Sequence, residues 1–204
     1  MSSTPQSVKD DLAFMRSLVE AGDRIQGLFG EIYAAAGVCY GVQMILYAAQ
    51  SVAWLPAAAG WSLTIGLAPN AAFFAVLAFV IWRHRHAPPM RGMWRAIAAV
   101  FGCIGLANLA LVAVIGSVAV RQHSMTTWLI YPCAVFVLQG AAWLVAFVLL
   151  RRAWLAVVAV GWFAAAIVMV ALIQATTWFL VVAGIGFGLL MVVPGAVMIR
   201  RASA

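Results

Sequence analysis

The stretch SLTIGLAPNAAFFAVLAFVIWRHRHAPPMRGMWR, residues 62–95, decides the fold. Residues 62–82 carry no charge, and a helix of about 20 mostly apolar residues crosses a bilayer. Directly after them come Arg83, Arg85, Arg91 and Arg95. Arginines in short loops stay on the cytoplasmic side and orient the spans they join. An uncharged span running into a basic loop is therefore the signature of a polytopic membrane protein.

The pattern repeats along the chain. No charged residue occurs between residues 32 and 82, and the later basic residues come as Arg121, Arg151 with Arg152, and Arg200 with Arg201. Six spans are expected, over 29–52, 62–82, 96–119, 127–150, 153–174 and 177–199. Because the apolar runs are continuous rather than alternating, each is expected to be a helix. Loops 83–95 and 151–152 and the tail then share a side with the N-terminus, which puts eleven of the twelve basic residues there. Loops 53–61 and 175–176 carry no charge, and loop 120–126 carries only Arg121. Both termini are expected in the cytoplasm. Trp54, Trp61, Trp82, Trp94, Trp128, Trp154 and Trp178 fall near the expected span ends, where an amphipathic ring prefers the headgroup layer. Trp143 and Trp162 sit deeper.

Composition excludes a soluble fold. Hydrophobic residues make up 67% of the 204 residues and charged ones 8%, with a mean hydropathy of +1.08. A soluble domain carries roughly a quarter charged residues. The net charge of +7 belongs to span ends and not to a nucleic-acid face. Cys39, Cys103 and Cys133 lie inside apolar runs without ligand spacing, so neither a disulfide framework nor a metal site is expected.

The N-terminal segment, residues 1–27, has a different character from the transmembrane domain over 28–204. Val8, Leu12, Met15 and Val19 recur on one helical face, Glu20 and Arg24 form an i,i+4 pair, and Ser7 and Asp10 have capping-box spacing. Residues 7–25 are read as an amphipathic helix lying at the membrane surface, ahead of an uncleaved first span. Asp10, Asp11, Glu20 and Asp23 outnumber Lys9, Arg16 and Arg24, which leaves this segment at −1 and the rest of the chain at +8. A helix built to grip anionic lipid would be basic. These four acids are candidates for docking on Arg83, Arg85, Arg91 and the arginines at 151–152; a lipid-lying stub is the alternative.

The stretch Asp11-Leu12-Ala13-Phe14-Met15-Arg16, followed by Glu20 and by Tyr40-Gly41 in the first span, resembles the start of a group of small bacterial inner-membrane proteins. That resemblance covers about residues 8–50. It implies a bacterial inner-membrane setting and supplies no activity or site residue.

Polar side chains inside the membrane are the place to look for function, since each is costly in hydrocarbon. Glu31, near the end of the first span, is the one carboxylate there; it is expected either to snorkel into the headgroup region or to pair with a loop arginine, a structural role preferred to a proton relay. Gln43, Asn70, Asn108 and Gln139 lie near the middle of spans one to four, with Tyr40 and Tyr47 close by on the first. Either they line one polar pocket for a neutral or amphipathic ligand, or they glue helices together at about 0.6 kcal/mol per hydrogen bond. Gly37-xxx-Gly41 and Gly184-xxx-Gly188 permit close helix approach within the protein or across a homodimer. Thr126-Thr127-Trp128 recurs as Thr176-Thr177-Trp178, and Arg-Arg recurs at 151 and 200, a hint of duplicated two-helix units.

No phosphate loop, acid pair or serine–histidine arrangement occurs. His84 and His86 are expected on the opposite side from His123, so no pair of them ligates a haem or metal in the bundle. The sequence thus reads as an all-α, six-span bundle without catalytic residues, metal or cofactor. Its expected role is that of an accessory or regulatory membrane subunit acting through partners or lipid. A small transporter or channel for a neutral or lipophilic molecule is the alternative, and an intramembrane enzyme acting on lipid or quinone comes third.

Overall fold

A computed structural model describes residues 5–85 and 92–203, with the side chains of 25–85 and 93–203. Its helices are α1 (Pro5–Ser51), α2 (Ala59–Arg83), α3 (Gly92–Gln122), α4 (Met125–Leu150), α5 (Ala153–Ala171), α6 (Thr176–Phe187) and α7 (Val193–Ala202). A π-helical turn over Gly188–Val192 joins α6 and α7 into one span. No strand occurs among the described residues. Six helices are long and apolar enough to cross a membrane, and their ends agree with the expected ones to within about a turn. The protein is an all-α, six-helix transmembrane bundle.

One element differs from expectation. The surface helix over 7–25 and the first span over 29–52 are a single helix, α1, of 47 residues. The boundary drawn at residue 27 falls inside it. Gly22 and Gly27 do not break it, since each costs a helix only about 1 kcal/mol, and no proline follows Pro5 within α1. At 1.5 Å per residue such a helix is about 70 Å long, roughly twice the hydrocarbon thickness. Among the residues with described side chains, the stretch apolar enough to span is Ile25–Ser51.

Packing sorts the helices into two groups. Helix α1 lies against α2 and the whole α6–α7 span, while α4 lies between α3 and α5. The two groups meet through a core of Tyr33, Phe136, Trp143, Trp162, Phe179 and Phe187, all buried. Its aromatic rings touch edge to face, as in Phe136–Trp162 at 4.6 Å and Phe136–Phe187 at 5.0 Å between centroids. Helices α2 and α3 are the most exposed spans and make no substantial contact with each other. Their outward residues, such as Leu67, Phe74, Leu106 and Leu109, are apolar, which is what a lipid-facing surface requires.

The tryptophans divide into buried and outward-facing ones. Trp143 and Trp162 are fully buried, whereas Trp54, Trp61, Trp82 and Trp178 are exposed. Both Thr-Thr-Trp motifs start helices: Ser124 Oγ accepts the Thr127 N–H at α4, and Thr176 opens α6. Ala53, His123 and Arg151 take left-handed backbone angles, with φ of 59°, 48° and 51°. Each turns the chain out of a helix by returning N–H groups to the last carbonyls, as Arg151 N does to Phe147 O at 2.7 Å.

Glycine explains how α1 meets the last span. A Cβ on Gly30 would stand 2.7 Å from Gly195 O, and one on Gly195 would stand 2.8 Å from Gly30 O. Gly37 lies against Met191 and Phe187 O, and Gly41 against Gly184 O. Rising numbers on α1 pair with falling ones on the last span, so the two run antiparallel. Gly37-xxx-Gly41 is thus used inside the protein, opposite Gly184, while Gly188 faces open space. Gly102 and Gly105 on α3 also have nothing within 4 Å. Gly30→Ala and Gly195→Ala are expected to lower stability by about 1–3 kcal/mol, because backbone must move apart. Gly102→Ala and Gly105→Ala should instead raise it by up to about 1 kcal/mol through helix propensity. Thermal unfolding in one detergent checks the contrast, and equal effects at all four positions would refute it.

Candidate functional site

The intramembrane amides divide among separate helix seams. Between α1 and α2, Gln43 Nε2 donates to Gly66 O at 3.2 Å, and Asn70 Nδ2 donates to the same carbonyl at 2.6 Å. One helical turn on, the Tyr47 hydroxyl donates to Ser62 O at 3.3 Å. Gln50 then donates to Pro56 O at 2.8 Å and exchanges bonds with the Ser62 hydroxyl. Gln43, Tyr47 and Gln50 stand at i, i+4 and i+7, a single stripe on α1. The stripe is therefore a polar ladder stitching α1 to α2. Gly66 lacks a Cβ where one would meet the Tyr47 hydroxyl at 2.9 Å.

Gln139 belongs to a different cluster. Its Oε1 accepts from the Tyr33 hydroxyl at 3.3 Å, and that hydroxyl accepts from Trp143 Nε1 at 2.5 Å. Trp162 brings a second indole N–H towards Tyr33 without forming a hydrogen bond. Phe29 and Phe101 close round the Tyr33 ring. This is a dry aromatic core with one polar thread.

Asn108 stands apart, its Oδ1 buried without a partner. The contacts Gly116–Trp128 and Phe101–Trp143 set the register of α3 on α4 and put Asn108 within about a turn of Gln139. No hydrogen bond joins them. Tyr40 contributes its ring, packed on Phe73 of α2 and Phe187 of α6. Of the six candidates, then, Gln43, Asn70 and Tyr47 come together at α2, while Tyr40, Gln139 and Asn108 do not join them.

Neither of the two best-formed cavities touches the four amides. One, of about 10 Å³, lies among Gln26, Phe29, Trp94, Trp143, Arg152 and Trp154. The other, of about 250 Å³, is an apolar groove open to the lipid side between α5 and α6, at Gly161, Ala165, Gly186 and Leu190. The amides instead divide among the α1–α2 seam, the Tyr33 cluster and α3.

Charged groups gather at the basic end of the bundle. Arg83 forms an ion pair with Glu31, Nη2 lying 2.7 Å from Oε1 and 2.5 Å from Oε2. The loop partner expected for Glu31 is thus Arg83. Its guanidinium also lies over Phe79, as that of Arg85 lies over Trp82. Arg152 Nη1 donates to Gln26 Oε1 at 3.3 Å, and Arg201 stacks over the Trp154 ring at 5.7 Å. The docking candidates Asp10, Asp11, Glu20 and Asp23 have side chains outside the described ones, and Arg91 lies outside the described residues. Gln26, Ser62, Trp143 and Trp154 were not among the candidates. Gln26 precedes the expected span, and a buried tryptophan looks the same in sequence as an interfacial one.

Comparison with protein-family models, with curated proteins and with solved structures finds no match to this chain. Stability tests therefore bear directly on the polar thread. Tyr33→Phe should cost about 1–3 kcal/mol, since it strands the Trp143 N–H in the core. Gln139→Leu should cost less, about 0.6 kcal/mol, and Asn108→Leu should be neutral or stabilising because it removes an unpaired oxygen. Denaturation of the three variants by tryptophan fluorescence checks the order.

Proposed function

We propose that this protein is a non-catalytic integral-membrane subunit that acts through what binds its surface, whether partner proteins or membrane lipid. The observation that carries the reading is the engagement of the intramembrane amides: Gln43, Asn70 and Gln139 each bond a neighbouring helix or their own turn. A transport path needs polar groups presented to one continuous space. Here polarity is used for helix pairing, and the interior between the two helix groups is filled by aromatic rings. Long exposed apolar faces on α2 and α3 leave room for another transmembrane helix, from a partner or a second copy. The basic ends support both chain termini in the cytoplasm, by the rule that orients arginine-rich loops, and the resemblance of residues 8–50 supports a bacterial inner membrane. The acidic residues Asp10, Asp11, Glu20 and Asp23 remain the candidates for contacts at that face, with Arg85 and Arg91 among their partners.

Cysteine accessibility tests the reading. With Cys39, Cys103 and Cys133 replaced by alanine, a cysteine is placed at Asn70 or at Gln139 in turn. Neither site should react with a membrane-impermeant thiol reagent from either side of reconstituted vesicles. Such vesicles should also show no more flux of small neutral solutes than protein-free ones. Labelling at both positions together with solute flux would replace this reading by transport.

A further inference from the structure

Two arginine pairs lie about fifty residues apart in sequence, and the fold brings them to one corner. Arg152 reaches Gln26 on α1. One residue on, Gly27 lies against Ala202, a Cβ there standing 3.0 Å from the Ala202 Cβ. Arg201, next to Ala202, covers the ring of Trp154, two residues beyond Arg152. The start of α5, the end of α7 and the α1 segment at Gln26 thus converge. Arg151, Arg152, Arg200 and Arg201 are all exposed at this corner.

Among the described side chains, donors outnumber acceptors at this corner. The ion pair described in the bundle is Arg83–Glu31, and no carboxylate among the described residues pairs with any of these four arginines. Arg152 is the N-cap of α5 and makes no side-chain cap; of the first-turn donors, Leu155 N returns to Arg152 O at 3.0 Å. Trp154 Nε1 is buried beneath this surface. Gln26 Oε1 is an acceptor that the described side chains supply, and Arg152 takes it. Four positive charges and an uncapped helix start, set at the level of an interfacial tryptophan, call for a multidentate anion at headgroup depth.

We infer that this corner binds the phosphate headgroup of an anionic phospholipid. Guanidinium forks from two helix ends match phosphate oxygens, and basic sites between transmembrane helices hold anionic headgroups in this way. The apolar walls of α5 and α7 continue from the corner into the membrane for the acyl chains. The inference rests on the surface-binding reading above and names one ligand for it.

The test is native mass spectrometry of the full chain released from micelles holding equal amounts of phosphatidylglycerol and phosphatidylcholine. The wild type should retain phosphatidylglycerol in preference. Arg152→Gln combined with Arg201→Gln should lower that preference by about thirtyfold, at roughly fivefold per arginine near the surface. Arg152→Lys with Arg201→Lys should keep most of it. A charge-matched control, Arg95→Gln with Arg121→Gln, should leave it unchanged. Equal retention of the two lipids by the wild type overturns the site. So does an equal loss in the corner and control variants, which would mean general attraction to a basic protein. Displacement of the lipid by millimolar inorganic phosphate would assign the corner to free phosphate and also overturn the lipid. If the preference fails while cysteines at Asn70 and Gln139 stay sealed, the headgroup site alone is lost; if they open, the surface-binding reading falls with it.

Discussion

Contact between the backbones of α1 and the last span is the constraint on which the remaining structure depends. Lipid tails are as apolar as leucine, so helices in a bilayer gain little by hiding apolar side chains from them. Association then comes from close packing and from hydrogen bonds across seams. Gly30 and Gly195 present carbonyls where the other residue would carry a Cβ, and that proximity brings the first and last spans together. Once α1 and α6–α7 are joined, α1 carries α2 on its polar stripe, and the aromatic face of α6 receives Phe136 and Trp162 from the α4–α5 side. Pro194 stands beside the contact and lacks a backbone donor. The π turn over Gly188–Val192 precedes it, a usual accommodation where the regular hydrogen-bond ladder is interrupted.

The same economy governs polarity. A polar side chain in hydrocarbon must find a partner, and the nearest partners are the carbonyls of an adjacent helix. Gly66 O illustrates the point: it receives Gln43 from across the seam and Asn70 from its own helix. Tyr33 does the equivalent for Trp143 in the core. The amides are therefore spread over the helix pairs they join. Asn108 is the exception, and it lies on α3, one of the most exposed spans and one that packs mainly on α4.

The spans were legible because length, hydropathy and arginine placement all report on one variable, depth in the bilayer. Residues 62–95 contain that information complete. Which helix touches which was not legible, since an amide at mid-span reads the same whether it faces a pocket or a neighbour. The heptad Tyr33, Tyr40 and Tyr47 shows the difficulty. The three residues share a face to within about 40°, yet they reach α4, the ring pair Phe73 and Phe187, and Ser62 in turn. Neighbours that change along α1 give one sequence pattern three environments. The continuity of α1 was hidden for a related reason: glycine lowers helix propensity without forbidding helix, and Gly27 is kept for its contact with Ala202.

Arginine shows how far topology and packing are separate readings. The bilayer asks only that the basic residues collect on one side, and any of them satisfies that demand equally. The fold then treats them differently. Arg83 receives a carboxylate from α1 through Glu31, and Arg152 receives the amide oxygen of Gln26, five residues nearer the start of the same helix. A carboxylate offsets a whole charge, whereas an amide offsets only a dipole. Among the described side chains, Arg83 is therefore compensated from within the bundle, whereas the arginines of the α5–α7 corner present their charge outward. Both contacts come from α1, so the helix that closes the bundle through its glycines also sets how these two arginines are held.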